Sequence, residues 1–485
     1  MTPGQDERIV VVGGGVAGLV VALDLARAGL RPIVLEAAER CGGVLSAHRV
    51  GGLLLDAGAE SFATARPAFG DLLTELGLAD RVRVPNPAGA WVRYVGGAAP
   101  LPATSFLGIP GRPWAADVRR VIGIPGALRC GWDAVRPARS GVAPEVSLGD
   151  LVRSRLGRRV LDRLVGPVAG GVYAADPRTL EIRTVAPGLL PALVDTGSLA
   201  GAVRRLRSGG QQSGSAVATV TGGLHTVVEP LVDAIRAAGG EVRTGDRVER
   251  LTRRGSSWLV HRKDSAPLAA TRVVLALPAP EASQLVDAAV PAAGSAVLHH
   301  PINRVLIVTL VVDDGRLDAA PRGTGVLVAA GVRGVQAKAL THATAKWPWL
   351  AELTGPGRHV LRLSYGRGDG SDVPAENDIA DVALADARDL LGVDIDAGSV
   401  VDQDLVRWPS ALPAPRPGHA DAVQRLRAEL EDSGLLLVGA PVAGSGLAAV
   451  VTDARVQAAR LVERRRNVSG LAPSFPPANS GPALP

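Results

Sequence analysis

The sequence predicts an α/β fold assembled from discontinuous segments, and three observations predict it. Residues 8–43, RIVVVGGGVAGLVVALDLARAGLRPIVLEAAERCGG, join a buried strand to a glycine turn, a helix and a second strand. Two later stretches, opening at TGGLHTVVEP and at GLLLVGAPVAG, carry strand and helix signals that read as further parts of the same unit. Residues 300–410 contain runs that alternate in the manner of strands.

Taken in order, Ile9–Val12 reads as a short buried strand. Gly13, Gly14, Gly15, Val16, Ala17 and Gly18 form a tight turn into a helix over residues 19–28, and residues 32–35 form a strand that delivers Glu36. Gly13 permits the sharp turn, Gly15 lets the backbone approach a pyrophosphate at the helix N-terminus, and Gly18 lets the helix sit close on the strand. Glu36, about twenty residues beyond the glycines, has the reach to accept both hydroxyls of an adenosine ribose. The unit is therefore expected to be a Rossmann-type dinucleotide site. An amphipathic helix follows at residues 67–82, and a proline- and arginine-rich stretch over about residues 95–205 contains further helical segments.

Thr221, Gly222 and Gly223 then start a helix that closes at Gly239 and Gly240 and passes into a strand, and RVVLALPAP adds another buried strand. RVLIVTLVVDD, TGVLVAA, VQAKALTHAT and HVLRLSYGR are the strand-like runs, expected to roof a substrate cavity. The uncharged stretch 434–451 is nearly long enough to cross a bilayer, but its Gly, Pro and Ser residues divide it into a strand, a turn and a helix start. The expected division is a nucleotide-binding domain in three parts (1–90, 211–290 and 421–466), a helical insertion facing substrate or membrane (91–210), a substrate-binding sheet domain (291–420) and a disordered tail (467–485).

Composition narrows the function. The chain has 485 residues, 47% hydrophobic and 21% charged, enough for substantial cores in two or three domains. Its net charge of +6 comes from scattered arginine with only 3% aromatic residues, which argues against a nucleic-acid binder and suits an anionic substrate or weak contact with an acidic membrane. The two cysteines, Cys41 and Cys130, have neither disulfide nor metal spacing. With no signal-peptide pattern at the start, the expectation is the cytoplasm, with peripheral contact at the inner face of the membrane. The eight histidines include no HxH or HExxH spacing and no GxSxG elbow occurs, so metal and acyl-transfer chemistry are not expected.

The segment after Glu36, with Ala37, Arg40, Gly42 and Gly43, resembles the extended motif of the flavin-dependent amine oxidase superfamily, in which the chain runs alongside FAD. Over nearly its whole length the chain also resembles the oxygen-dependent porphyrinogen oxidases. DAGAESF (56–62), PLPATSFLGIPG (100–111), VGPVAGGVYAADP (165–177), KALTHATAKWPWL (338–350) and RWPSALPAPRPGH (407–419) carry that resemblance. It departs from the family pattern at residues 444–449 and at Pro415 and Arg416.

The resemblance implies FAD, held noncovalently because the C-terminal motif lacks a cysteine. The turn glycines and the residues after Glu36 would be joined by Gly58, Ala59, Glu60 and Ser61, by Val248 and Trp408, and by Ala440, Ser445, Gly446 and Leu447. It implies oxidation of a cyclic tetrapyrrole by six electrons in three cycles, with three O2 giving three H2O2 and no protein base. Arg93, Lys338, Arg407 and His419 are the substrate contacts to expect, with Arg178, Lys346 and Arg362 as further propionate partners. Trp347 and Trp349 are read as roof packing. The arginine-rich, alanine- and valine-rich composition suggests a high-GC actinobacterial source, and for such a source the resemblance implies coproporphyrinogen III, on which those family members mostly act. Protoporphyrinogen IX is the alternative, followed by an amine oxidase using Lys338 near the flavin or a non-enzymatic flavin scaffold. A transient contact with ferrochelatase completes the expected partners.

Overall fold

The structure is a computed structural model and describes residues 8–137, 146–207, 217–299, 304–366, 373–409 and 415–469. The expected tail from residue 470 onward, the expected boundary at 210/211 and residues 410–414 of the Arg407–His419 stretch lie outside the described residues.

A parallel sheet of five strands lies at the centre, in the order Glu241–Arg243, Ile33–Leu35, Ile9–Val12, Arg272–Leu275, Leu435–Leu437. Its inner strands are almost entirely apolar, as expected of a parallel sheet buried on both faces. One face is covered by the helices Val16–Arg27, Val228–Ala237 and Leu447–Ser469. The other is covered by the antiparallel meander Val248–Arg254, Ser257–Arg262, Ser265–Ala270 and by the helices Ala279–Ala289 and His419–Glu431. The last helix runs to Ser469, so residues 467–469 of the expected tail are helical.

A second sheet of seven strands forms the roof, in the order Val400–Trp408, Val305–Asp313, Arg358–Tyr365, Ala339–His342, Gly325–Val328, Trp91–Tyr94, Gly97–Pro100. Residues 91–100, expected in the helical insertion, are thus an edge hairpin of this sheet. Helix Ile379–Leu391 packs on one face of the roof, against a core that includes Val308, Leu340, Leu361 and Leu363. The insertion proper is a helical layer with its own core, and Val92 and Ala99 of the hairpin tie that core to the roof.

Its longest helix, Ala116–Gly131, breaks at Gly123 (φ 70°), just before Pro125. The break frees the carbonyls of Val121 and Ile122, which accept from Arg163 and Arg159. Residues 434–451 divide into strand Leu435–Leu437, short helix Ala440–Ala443 and the start of Leu447–Ser469, and no helix among the described residues is long and apolar enough to cross a membrane.

Candidate active site

The glycine turn sits at the C-terminal end of the central strand, where open parallel sheets bind their ligands. Gly13 has φ 103°, and a Cβ there would lie 2.4 Å from the Ala276 carbonyl oxygen. A Cβ on Gly18 would lie 2.0 Å from the Gly13 carbonyl oxygen. Gly15 differs from both: its φ is −73° and a Cβ would meet nothing within 4 Å. The helix begins at Val16, inside the expected turn, with no acid in its first turn, so its amide groups and positive dipole end are available to a pyrophosphate.

Glu36 accepts from Gly14 N at 2.6 Å through Oε2 and from Ala38 N at 2.8 Å through Oε1. A carboxylate offers about four acceptor positions, which leaves capacity for ribose hydroxyls. Arg40 is exposed on the segment beyond it, and the chain around Val248 lies nearby, with Asp246 N donating to the Glu36 carbonyl at 2.9 Å. Gly42 N donates to the Gly14 carbonyl at 2.9 Å, so the second glycine pair runs beside the first turn.

The row of turns continues through residues 57–61. Ala59 N donates to Val44 O at 2.9 Å, and a Cβ on Gly58 would collide with that same oxygen at 2.4 Å. Trp408 Nε1 donates to Ala57 O at 3.1 Å and braces the loop from the roof. Ala59, Phe62 and Leu447 belong to the same hydrophobic cluster, as do residues of the Val16–Arg27 helix. The last helix also has no acid in its first turn, and Gly446 before it leaves open space where a Cβ would stand. Ala440 begins the short helix just upstream. The open cradle at Gly15, the acid at one end and the open helix end at Gly446 fit an extended dinucleotide cofactor.

Residue pairing in the roof sheet decides which side chains face this row, because alternate residues point to opposite faces. Arg362 reaches Gly58 and Glu60, and Asp404 reaches His48 at 2.6 Å, which fixes the cleft-facing set. Arg362 pairs with Thr309 and Thr341, and the same face carries Ile307, Leu327, Ala339 and Ser364, these last four all partly exposed. A Cβ on Gly171 would lie 2.7 Å from Leu327 Cδ2, so the GGVY segment closes the insertion onto the cleft at that point.

The expected substrate contacts fall elsewhere. Arg93 pairs with Val328 on the face covered by helix Ile379–Leu391 and binds Asp389 of that helix at 2.9 Å. Lys338, only 2% exposed, extends the same buried face and donates to Gly366 O at 2.9 Å. Arg407 pairs with Leu306, again on the helix side. His419 is buried at the start of helix His419–Glu431. Three of the four therefore point away from the cleft. Arg178 forks onto Asp176 at an exposed turn of the insertion. Thr341, Ser364, Ile307 and Leu327 were missed; strand parity was their signal, but it becomes readable only once one face is known to be covered.

Glu60 is the centre of the site's electrostatics. Lys346 Nζ donates to Oε1 at 2.5 Å and Arg362 Nη1 to Oε2 at 2.6 Å. Burial alone would raise this carboxyl, but the two hydrogen-bonded cations outweigh it and hold its pKa at about 2. Beside it lies a cavity of about 20 Å³, lined by Asp56, Glu60, Trp349 and Arg362 among others. The indole N–H of Trp349 and Nε of Arg362 are buried without a partner among the described residues. That room matches a single water. Trp347 is buried and Trp349 half-buried in the packing beneath the roof, with Lys346 Nζ 4.8 Å from the Trp347 ring.

A model of the flavin containing amine oxidoreductase family matches residues 16–464. Coproporphyrinogen III oxidase of Mycobacterium tuberculosis (strain ATCC 25618 / H37Rv) is 34% identical over 460 residues, covering 93% of this chain and 96% of that one. The enzyme of the same name from Bacillus subtilis (strain 168) is 26% identical, covering 91% and 95%. A crystal structure from Exiguobacterium sp. 255-15 that carries a protoporphyrinogen oxidase designation superposes with a TM-score of 0.83 at 25% identity, covering 95% and 99%. Cyclohexylamine oxidase from Brevibacterium oxydans IH-35A, at 17% identity and a TM-score of 0.67 with 95% and 100% covered, shares the fold. The chain belongs to the flavin containing amine oxidoreductase family. It is a flavin oxidase, and its cofactor is FAD.

Proposed function

We propose that the protein oxidises coproporphyrinogen III to coproporphyrin III in heme biosynthesis, removing six electrons and six protons while three O2 become three H2O2. The observation that carries this reading is the 34% identity to the Mycobacterium tuberculosis coproporphyrinogen III oxidase over nearly the full length of both chains. FAD supplies the two-electron acceptor that O2 regenerates. The chain's own work is to hold that cofactor and to seat the macrocycle. Amides at the Val16 helix start would hold the pyrophosphate, and Glu36 the ribose. The remaining FAD contacts proposed are those of the turns at Gly42, Gly43 and residues 58–61, with Ser445, Gly446 and Leu447.

Ile307, Leu327 and Ala339 offer the macrocycle an apolar seat that excludes water, while the Thr341 and Ser364 hydroxyls are placed to meet pyrrole N–H groups. Among the described cleft-facing side chains, Glu60 is held ionised by two cations and Asp404 is tied to His48 at 2.6 Å, so neither carboxylate nor that imidazole is free. Protons then leave to water, which supports chemistry without a protein base. The amine oxidase reading loses its residue, because Lys338 faces the other side of the sheet.

Noncovalent attachment is supported by the cysteines. Cys41 lies beside Gly14 at the adenosine end and Cys130 lies in the insertion core. Burial, reinforced by a nearby acid, pushes both thiols up to about 11, so neither is a ready nucleophile. The six-segment division is kept as a proposal, with residues 91–100 moved to the roof. Cytoplasmic location with peripheral contact at the inner face of the membrane is supported by the net charge of +6 and by Ile124, Leu128 and Trp132, exposed on one side of the insertion. A transient contact with ferrochelatase is proposed because a metal-inserting enzyme must consume the porphyrin product.

The test is a side-by-side assay of coproporphyrinogen III and protoporphyrinogen IX by porphyrin fluorescence. Preference for the tetracarboxylate is expected. Preference for protoporphyrinogen IX would reverse the substrate; that reading has its own support in the 27% identity to the chloroplastic protoporphyrinogen oxidase of Oryza sativa subsp. japonica. Turnover of neither would overturn the function.

A further inference from the structure

We propose that Glu60, Lys346 and Arg362 form a latch that positions the flavin end of the cofactor and sets its redox potential through the charge balance of the three groups. The inference rests on FAD lying along the row of turns described above. Four observations carry it.

The three side chains come from three parts of the fold: the loop at residues 57–61, the short helix Ala343–Lys346 and the roof strand Arg358–Tyr365. They meet at the Glu60 carboxylate, which both cations share. Second, Arg362 Nη2 donates to the Gly58 carbonyl at 3.0 Å, so the latch grips the loop's backbone as well as its side chain. Third, all three side chains are largely withdrawn from water, at 17%, 16% and 9% exposure for Glu60, Lys346 and Arg362. Charge there is weakly screened and acts over longer distances than at the surface. Fourth, the turns follow one another through bonds from Gly14 N to Glu36, from Gly42 N to Gly14 O and from Ala59 N to Val44 O, so the adenosine acid and the latch lie at opposite ends of this row.

The formal charge of the cluster is +1. A net positive charge near a redox centre favours its reduced, more negative form and raises its midpoint potential. Glu60 thus has two effects that separate experimentally: it ties the loop to the roof, and it cancels half of the positive charge brought by its partners. A purely structural tie would alter stability and cofactor affinity but would not move the potential with a sign that follows charge.

The test uses the FAD-loaded protein and reads the flavin midpoint potential by dye-equilibrated reduction, with absorbance verifying that flavin is bound. Glu60→Gln brings the cluster to +2 and is expected to shift the potential upward. Lys346→Met brings it to 0 and is expected to shift it downward, whereas Lys346→Arg keeps +1 and the wild-type value. The double variant E60Q/K346M restores +1 and is expected to return to within the error of wild type although the bridge is gone. Should Glu60→Gln alone fail to retain FAD, Lys346→Met and Lys346→Arg still decide the matter by their opposed behaviour. Potentials that stay fixed in every variant, or that fall in all of them, overturn the proposal. Failure of the underlying reading is distinguishable, because wild-type protein would then retain no FAD.

Discussion

Replacing Gly15 with alanine separates holding the cofactor from holding the fold. Gly15 has φ −73° and ψ 174°, an extended conformation open to any residue, and its Cβ would meet nothing within 4 Å. In the cofactor-free protein the change is therefore expected to be harmless or stabilising by about 0.4–1 kcal/mol, because alanine restricts the unfolded chain. In the loaded protein the new methyl occupies the space through which backbone amides reach the pyrophosphate. Losing two charge-assisted hydrogen bonds at about 1.5–3 kcal/mol each costs ~3–6 kcal/mol, or about 10²–10⁴ in FAD affinity. Gly18→Ala is the control with the opposite signature. Its Cβ would stand 2.0 Å from the Gly13 carbonyl oxygen, so the helix must shift and the cofactor-free protein itself is destabilised by about 1–3 kcal/mol. Thermal unfolding without FAD and titration of apoprotein by quenching of flavin fluorescence read the two quantities. If Gly15→Ala destabilised the apoprotein as Gly18→Ala does, or bound FAD within about threefold of wild type, the assignment of the cradle would be wrong.

Acid stability gives two further tests with defined signs. Glu60 sits at about 2 against an ordinary 4.5, so its stabilisation is fully present above pH 4.5 and is lost as pH falls toward 2. Urea unfolding at about pH 5 and about pH 3 should show Glu60→Gln losing roughly 2 kcal/mol less than wild type over that step. His342 is buried against His359 at 3.0 Å, and burial first, then the neighbouring imidazole, lowers it to about 3. The unfolded chain takes a proton below about 6.5 that the folded chain refuses, so stability falls by up to about 1.4 kcal/mol per pH unit between these values, and His342→Leu should flatten that slope. In the cleft, Thr341→Phe should cut porphyrinogen turnover at least tenfold, while Lys338→Met should leave kcat and KM near wild type and act on stability alone; reversed effects would refute the face assignment. Acid precipitation should release all flavin into the supernatant, and yellow pellets would contradict noncovalent binding.

The glycine turn was legible because Gly13 and Gly18 answer local steric demands, while Gly15 keeps the helix start open at the spacing a pyrophosphate needs. Helix onset was less so: Val16 to Gly18 look like turn residues by composition, yet they are the first helical turn, since the glycine at residue 15 supplies the extended cap. The long roof strands could be read from a run of β-branched residues in Val305–Asp313 and from the alternation of apolar and polar residues in Arg358–Tyr365. VQAKALTHAT gave only Ala339–His342, because the amides of Gln336 and Ala337 are taken by the Asp386 carboxylate instead of a neighbouring strand. The facing of Lys338 was not legible at all. Lysine suggests solvent or substrate, but pairing across the sheet places it in line with Leu340 and His342 on the buried side, and pairing is a property of distant segments. The latch escaped for the same reason: Glu60 was read with its loop, while its two cations arrive from segments nearly 300 residues later in the chain.

The strand order of the central sheet also governs when the enzyme can become active during its synthesis. The first strand is made within the first dozen residues, but its neighbour Arg272–Leu275 and the outer strand Leu435–Leu437 are made far later, and the helix that closes the flavin end starts only at Leu447. At ribosomal speeds of about 5–20 residues per second, the glycine turn waits roughly 20–90 s for the rest of its pocket. Cofactor capture is therefore a late event in the life of the nascent chain, and a ribosome stalled before residue 435 leaves an apolar strand edge uncovered with no flavin to stabilise it.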